Sequence, residues 1–146
     1  MDLEFLTHNF DPALCLCESE KLKEVVELSE KMSQGKNVVQ LFGSGNQILK
    51  RIIPAYINAA LRNYDGSMHT RSMRSEMMIL VSGKMDIASA LELCGARDSK
   101  FIVFSNDRRI FDSFVKKGKI RVLKEYTPSL ELEVACDVAA IELKNE

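Results

Sequence analysis

Basic side chains in the middle of this 146-residue sequence are the best candidates for chemistry. Between residues 46 and 75 the chain carries five Lys and Arg residues against one acidic residue, Asp65. Guanidinium groups pair with phosphate oxygens through parallel hydrogen bonds, and a tyrosine such as Tyr56 or Tyr64 can stack on a base. From the residue pattern alone a solvated charged face is favoured, with a local nucleic-acid contact as the alternative. The residues concerned are Lys50, Arg51, Arg62, His69, Arg71 and Arg74.

Catalytic and metal chemistry find weaker support. Gly43-Ser44-Gly45 lies between a predicted strand and a predicted helix, where backbone N–H groups attract phosphate. The turn lacks the third glycine of a dinucleotide loop and the Gly-Lys-Ser/Thr of a P-loop, which favours a plain turn. His8 and His69 lie far apart, and no sequence signature joins a nucleophile to a base. The sequence therefore predicts no catalytic residues, no metal and no cofactor.

Overall composition predicts a folded protein with no general basic field. The chain is 46% hydrophobic and 28% charged, with a net charge of -1. No apolar run approaches the roughly 18 residues that a membrane span needs, and the first residues do not resemble a signal peptide. We therefore expect a cytoplasmic protein that does not enter membranes. With no Cys-x-x-Cys pair, buried reduced thiols are expected at Cys15, Cys17, Cys94 and Cys136.

Short apolar runs alternate with helical periods along the chain. This pattern predicts a single α/β domain over residues 1–146, with an α+β arrangement as the alternative. We expect a mixed sheet of about five strands with helices on both faces, or on one face only as the alternative. The predicted strands are residues 13–17, 38–42, 76–81, 101–104 and 120–123. The predicted helices begin near residues 19, 46, 86 and 106 and end near Gly35, Gly66, Gly95 and Gly118.

Three segments leave room for more than one structure. Residues 76–81 suit a strand or a helix that continues from Ser72, and we expect a strand because Ser82-Gly83-Lys84 breaks the run. Pro54 lies inside the predicted helix 46–64 and is expected to bend it or divide it into two segments. After a helix start at Thr127-Pro128, residues 130–134 alternate like a strand, whereas the residues from 134 onward suit a helix.

The segment 68–82 resembles the kinase-binding subunit of the KEOPS complex, called the PRPK-binding protein in animals. Members of this family have a Thr-Arg-Ser/Thr-Leu-x-x-Glu stretch, an apolar run that ends in Ser, and then Ile-x-x-Ala-Leu with a Gly shortly after it. Met73 replaces the usual Leu and Cys94 an aromatic residue, and both keep the position apolar. The likeness covers roughly the middle 60 of the 146 residues. Its matching residues are Thr70, Arg71, Ser72, Glu76, Ser82, Ile87, Ala90, Leu91 and Gly95.

This resemblance implies a non-catalytic subunit that binds the N-terminal lobe of a small atypical kinase/ATPase. Through that kinase it would meet the threonylcarbamoyl-transferase subunit indirectly. The family is also implied to hold tRNA, including its acceptor end, for threonylcarbamoyladenosine formation. For Arg71, a salt bridge to Glu76 is the alternative to a phosphate contact. The implied tRNA contacts are Arg71, Arg74, Thr70, Lys50, Arg51, Arg62, His69 and Lys84.

Two segments are candidates for the kinase contact because they are more apolar than a surface helix needs to be. The alternative for both is a place in the core. Two other functions stay open: a free-standing small nucleotide-binding enzyme that uses the Gly43-Ser44-Gly45 turn, and a general RNA-binding module. The docking candidates are Ile52, Ile53, Tyr56 and Ile57 on the helix, and Val134, Val138 and Ile141 in the tail.

Overall fold

A four-stranded antiparallel sheet organises residues 10–126, the part of the chain that the computed structural model describes. Its strands are β1 (Ala13–Glu18), β2 (Val39–Phe42), β3 (Lys100–Ser105) and β4 (Arg121–Glu125). Five helices connect them within this range: α1 (Leu22–Met32), α2 (Asn46–Asp65), α3 (Met73–Ser82), α4 (Ile87–Cys94) and α5 (Arg108–Gly118). The predicted α/β domain is confirmed for these residues.

The first strand lies in the middle of the sheet, because the strand order is β2-β3-β1-β4. β1 pairs with β3 from Ala13 opposite Ser105 to Glu18 opposite Lys100, and its other side pairs with β4. All pairings between these strands are antiparallel. The expected mixed sheet of about five strands is therefore wrong in two respects: the described sheet has four strands, and it is antiparallel.

The strand expected at residues 76–81 is part of helix α3. The Ser72 side chain accepts the N–H of Ser75 and caps the first turn, and Gly83 ends the helix at a φ of 73°. α3 packs against both α2 and α4, and residues 76–79 are all buried. A helix buried at consecutive positions shows no amphipathic period. The caps Ser72 and Gly83 were the sequence signals that indicated a helix, whereas the apolar run between them led to the wrong prediction of a strand.

Helices cover both faces of the sheet, as predicted. On one face, residues of α2, α3 and α4 pack against Leu14 of β1 and Ile102 of β3. On the other face, residues of α1 and α5 pack against Cys15 of β1 and Val103 of β3. Because successive strand residues point to opposite faces, each central strand contributes to both cores.

Helix α2 lies in the first of these cores. It runs without a break from Asn46 to Asp65, so the expected division into two segments at Pro54 is wrong. Its side chains Ile52, Ile53, Tyr56 and Ile57 are between 0% and 8% exposed. The Tyr56 ring stacks on Phe10 with a centroid distance of 5.0 Å. The docking surface expected at these four residues is wrong, because α3 and the sheet already cover the face on which they lie.

Several predictions fall on residues outside the described range 10–126: the apolar tail with Val134, Val138 and Ile141, the elements expected after Thr127, and also His8 and Cys136. Within that range, Cys15, Cys17 and Cys94 are buried, as expected. No helix there combines the length and the apolar character that crossing a bilayer requires.

Candidate nucleic-acid interface

The segment between α2 and α3 is built around one buried carboxylate, that of Glu76. Its side chain is 0% exposed. Oε1 accepts hydrogen bonds from the backbone N–H groups of His69 and Thr70 and from the Thr70 hydroxyl, each at 2.9 Å. Oε2 accepts a hydrogen bond from Arg62 Nη1, also at 2.9 Å. The carboxylate thus fixes the backbone immediately before Arg71 to both flanking helices.

Arg62 is the cation that compensates this buried charge. Its side chain is 4% exposed, so the surface position expected for a tRNA contact is wrong. His69 lies beside the pair with its side chain 49% exposed, and its Nδ1 is 3.1 Å from Arg62 Nη1 and 3.4 Å from Glu76 Oε2. The alternative pairing of Arg71 with Glu76 is also wrong, since Arg62 takes that place from the preceding helix.

Local sequence explains how the segment leaves α2 and enters α3. Gly66 adopts a φ of 72° after α2, a left-handed conformation that glycine tolerates best. The Ser67 N–H then bonds to the Arg62 carbonyl at 2.9 Å and closes the end of the helix. Five residues later, Ser72 caps the start of α3. Arg71 therefore lies between two helix ends whose geometry is set by short-range contacts.

The carboxylate of Glu76 stays ionised against the effect of burial. Burial alone would raise its pKa, but the hydrogen bonds from Arg62, Thr70 and His69 together outweigh it and hold the pKa below its ordinary value. An ionised group in this position accepts strong charge-assisted hydrogen bonds. The geometry of residues 69 to 71 therefore depends on the charge of a side chain that never reaches the surface.

Arg71 is exposed at the side of a small cleft. The cleft has a volume of about 290 Å³, near the lower end of the range for small-ligand sites. Six of its ten lining residues are polar or basic, while Val38, Met68 and Met73 supply apolar surface. The lining residues are Ser33, Gly35, Asn37, Val38, Asn63, Met68, Arg71, Ser72, Met73 and Arg74. The residues from 33 to 38 and Asn63 were not predicted, because nothing local in the sequence connects them to Arg71.

Arg74 is only partly exposed and is bonded to its own chain. Its Nε donates to the Val39 carbonyl at 2.9 Å, and its Nη2 lies 3.0 Å from Ser29 Oγ and 3.2 Å from Gln40 Oε1. Burial lowers its pKa, and the nearby charge of Glu30 acts in the opposite direction. Arg74 thus lines the cleft while its guanidinium joins α3 to β2 and α1.

The remaining predicted contacts form a second basic group near the other ends of α2 and α3. Lys50, Arg51 and Lys84 are all exposed, and Arg51 Nη1 donates to the Val81 carbonyl at 3.1 Å. Lys50 and Arg62 are roughly 18 Å apart along α2 at 1.5 Å per residue. The structure therefore does not gather all the predicted residues at one point. They lie in two groups separated along the length of this helix.

Other chemistry gains nothing from the geometry of the described residues. The Gly43 N–H donates to the Cys94 carbonyl at 2.9 Å, so the turn before α2 is already using this amide internally. Burial raises the pKa of Cys15 to about 11 and that of Cys17 to about 12, which opposes formation of a reactive thiolate. Residues 10–126 contain no group of three or more His, Cys, Asp or Glu side chains placed to hold a metal ion.

A scan against protein-family models finds no match for this chain, and a search of curated proteins finds none either. The resemblance to the KEOPS kinase-binding subunit therefore stays a prediction from the sequence.

We predict that Glu76→Gln destabilises the protein by about 3–5 kcal/mol, because it removes a charge-assisted hydrogen bond and the negative charge of a fully buried ion pair with Arg62. Chemical denaturation at pH 7 measures the change in the free energy of unfolding. Glu92→Gln is the matched control, since Glu92 is exposed on α4 and should change stability by no more than about 0.5 kcal/mol. Equal stability of the two variants would contradict the organising role of Glu76.

Wild type and Glu76→Gln also give a prediction about how the free energy of unfolding depends on pH. A carboxylate whose pKa is lower in the folded state than its unfolded value of roughly 4.3 contributes stability above that value and loses it as the pH falls. The stability difference between wild type and Glu76→Gln should therefore narrow when unfolding is measured from pH 7 down to about pH 3. A difference that stays constant over this range would show that the charge of Glu76 does not contribute.

Proposed function

We propose that this protein is a non-catalytic adaptor of the KEOPS tRNA-modification complex. It binds the small atypical kinase/ATPase subunit and helps to recruit tRNA, including its acceptor end, for threonylcarbamoyladenosine formation in the cytoplasm. The resemblance of residues 68–95 to the kinase-binding subunit supports the assembly. The observation that carries RNA binding is the exposed Arg71 beside a polar cleft, on backbone that Glu76 holds in place.

A fixed backbone favours binding at Arg71. The residue before it, Thr70, is bonded to Glu76 through both its N–H and its hydroxyl. Since this segment is ordered before a ligand arrives, binding does not have to provide the free energy for ordering it. An exposed guanidinium held in this way suits a phosphate, which it can contact through two parallel hydrogen bonds.

The cleft beside Arg71 suits an unpaired nucleotide more than a duplex. Its volume of about 290 Å³ is small, and amide side chains from Asn37 and Asn63 supply donors and acceptors for base edges. Met68 and Met73 add apolar surface against which a base can pack. RNA is recognised mainly where its bases are unstacked, in loops and at ends. The single-stranded acceptor end of tRNA fits this description.

The second basic group would contact a more distant part of the same RNA. Lys50, Arg51 and Lys84 are exposed at the opposite end of α2, roughly 18 Å from the Arg71 end at 1.5 Å per residue. Contacts to phosphates fix the register of an RNA without reading its sequence. The cleft would therefore select the end of the tRNA, and the second group would orient the adjoining backbone.

We predict that Arg71→Gln weakens tRNA binding by about tenfold or more, since hydrogen bonds to charged groups contribute about 1.5–3 kcal/mol. A titration of labelled full-length tRNA measures the dissociation constant. The matched control is Arg121→Gln on β4, because its exposed side chain lies on the opposite edge of the sheet from β2. That variant should bind as wild type does.

A tRNA that lacks its single-stranded acceptor end tests which part of the RNA meets Arg71. Wild type should bind it more weakly than full-length tRNA, and Arg71→Gln should then cause little further loss, because the two changes remove the same contact. If Arg71→Gln and Arg121→Gln both bind like wild type, Arg71 belongs to a solvated face and the RNA-binding proposal fails.

For the kinase, the remaining candidates are the tail residues Val134, Val138 and Ile141, which lie outside the described residues. We predict that Val138→Asp abolishes capture of the purified kinase subunit, with the folding of the variant checked by thermal denaturation. Leu93→Asp is the matched control, because Leu93 is 56% exposed on α4. Loss of binding from Leu93→Asp with Val138→Asp unaffected would contradict tail docking and move the contact to α4. Loss of folding in Val138→Asp would place the tail in the core instead.

A further inference from the structure

The two walls of the cleft come from distant parts of the chain. One wall is the connection from α1 to β2, with Ser33, Asn37 and Val38, and the other is formed by Asn63 and residues 68–74. No local structure fixes the distance between segments this far apart in sequence. The width of the cleft must therefore depend on contacts that cross from one wall to the other.

Arg74 makes hydrogen bonds that cross between the elements carrying these two walls. From α3 its Nε reaches the Val39 carbonyl at 2.9 Å, while Nη2 reaches Ser29 Oγ on α1 and Gln40 Oε1 on β2. Gln40 returns a hydrogen bond from its Nε2 to the Arg74 carbonyl at 3.1 Å. Ser29 is 0% exposed and Gln40 is 7% exposed, so two of these partners are buried. Four hydrogen bonds thus join α3 to α1 and β2.

We infer that Arg74 is a positioning residue, which holds the two walls of the cleft at a fixed separation and does not itself neutralise an RNA phosphate. The inference rests on the proposed RNA-binding function and assigns Arg74 a role distinct from that of Arg71. A planar guanidinium can direct N–H groups to several acceptors at once, whereas a lysine ammonium is a single compact charge. A lysine at position 71 should therefore keep the charge that neutralises a phosphate, whereas a lysine at position 74 should not keep the hydrogen bonds to Val39, Ser29 and Gln40.

The experiment compares Lys and Gln at both positions by titrating labelled tRNA at several salt concentrations. Each phosphate neutralised contributes about 0.7–0.9 to the slope of log K against log salt. Arg71→Gln should lower the slope by about that amount, and Arg71→Lys should keep it. Arg74→Lys and Arg74→Gln should both weaken binding by about tenfold, with the wild-type slope retained.

Gln40→Met provides a variant that leaves every basic residue in place. It removes the amide that bonds to both the side chain and the backbone of Arg74, at nearly unchanged volume. It should weaken tRNA binding without changing the salt slope, and its effect should not add to that of Arg74→Lys, because both changes break the same network. Additive losses would contradict the inference.

Hydrogen exchange on the free protein tests, without RNA, whether Arg74 holds the two walls of the cleft together. Amides of residues 33–40 and 68–74 should exchange faster in Arg74→Lys than in wild type, while Arg71→Lys should leave them unchanged. Unchanged exchange in Arg74→Lys overturns the inference. Binding by Arg74→Lys at wild-type strength, together with a lowered slope in Arg74→Gln, would make Arg74 a phosphate ligand and also overturn it. If wild-type protein binds no tRNA, the RNA-binding proposal is refuted. Faster exchange in Arg74→Lys would in that case still support the role of Arg74 in holding the two walls together.

Discussion

The buried charge of Glu76 is the constraint on which the candidate site depends. A carboxylate taken out of water is costly unless strong hydrogen bonds and an opposite charge replace its hydration. Here Arg62 supplies the charge from α2, while His69 and Thr70 supply backbone N–H groups. Since all these donors must converge on one group, α2, α3 and the segment between them are held in a single arrangement. The exposure of Arg71 is a consequence of that arrangement.

Three arginines in this region have three different physical roles. Arg62 is buried and compensates Glu76, Arg74 joins three elements through its guanidinium, and Arg71 is exposed beside the cleft. Their side chains are chemically identical, so the local excess of positive charge overstates how much charge reaches the surface. Of these three arginines, Arg71 is the one that combines an exposed position with a place in the cleft lining.

Among the described strands β2 lies at an edge of the sheet, and residues next to this edge also form or support the cleft. An unpaired strand edge presents N–H and C=O groups that invite pairing with another chain. The Val39 N–H donates to Ser33 Oγ at 3.0 Å, and its carbonyl accepts from Arg74. Side chains thus take the place of a fifth strand in the described sheet. A cleft can lie at this edge without leaving the Val39 backbone groups unpaired, because the side chains of Ser33 and Arg74, which line the cleft, already form hydrogen bonds with them.

The sequence by itself determined the strands β1, β2 and β3, the capped helix α4 and the coverage of both faces, because apolar runs, caps and terminal glycines act over short distances. The resemblance of the segment 68–82 to a known family also singled out Thr70, Arg71 and Glu76. Only the tertiary structure decided that residues 76–81 form a helix, that Ile52 and Ile57 belong to the core, and that Arg62 is buried. An apolar helix face looks the same whether it packs on its own sheet or on a partner. An arginine likewise looks the same whether its partner is a phosphate or a buried carboxylate 14 residues away, because that choice is made by packing between segments that are distant in sequence.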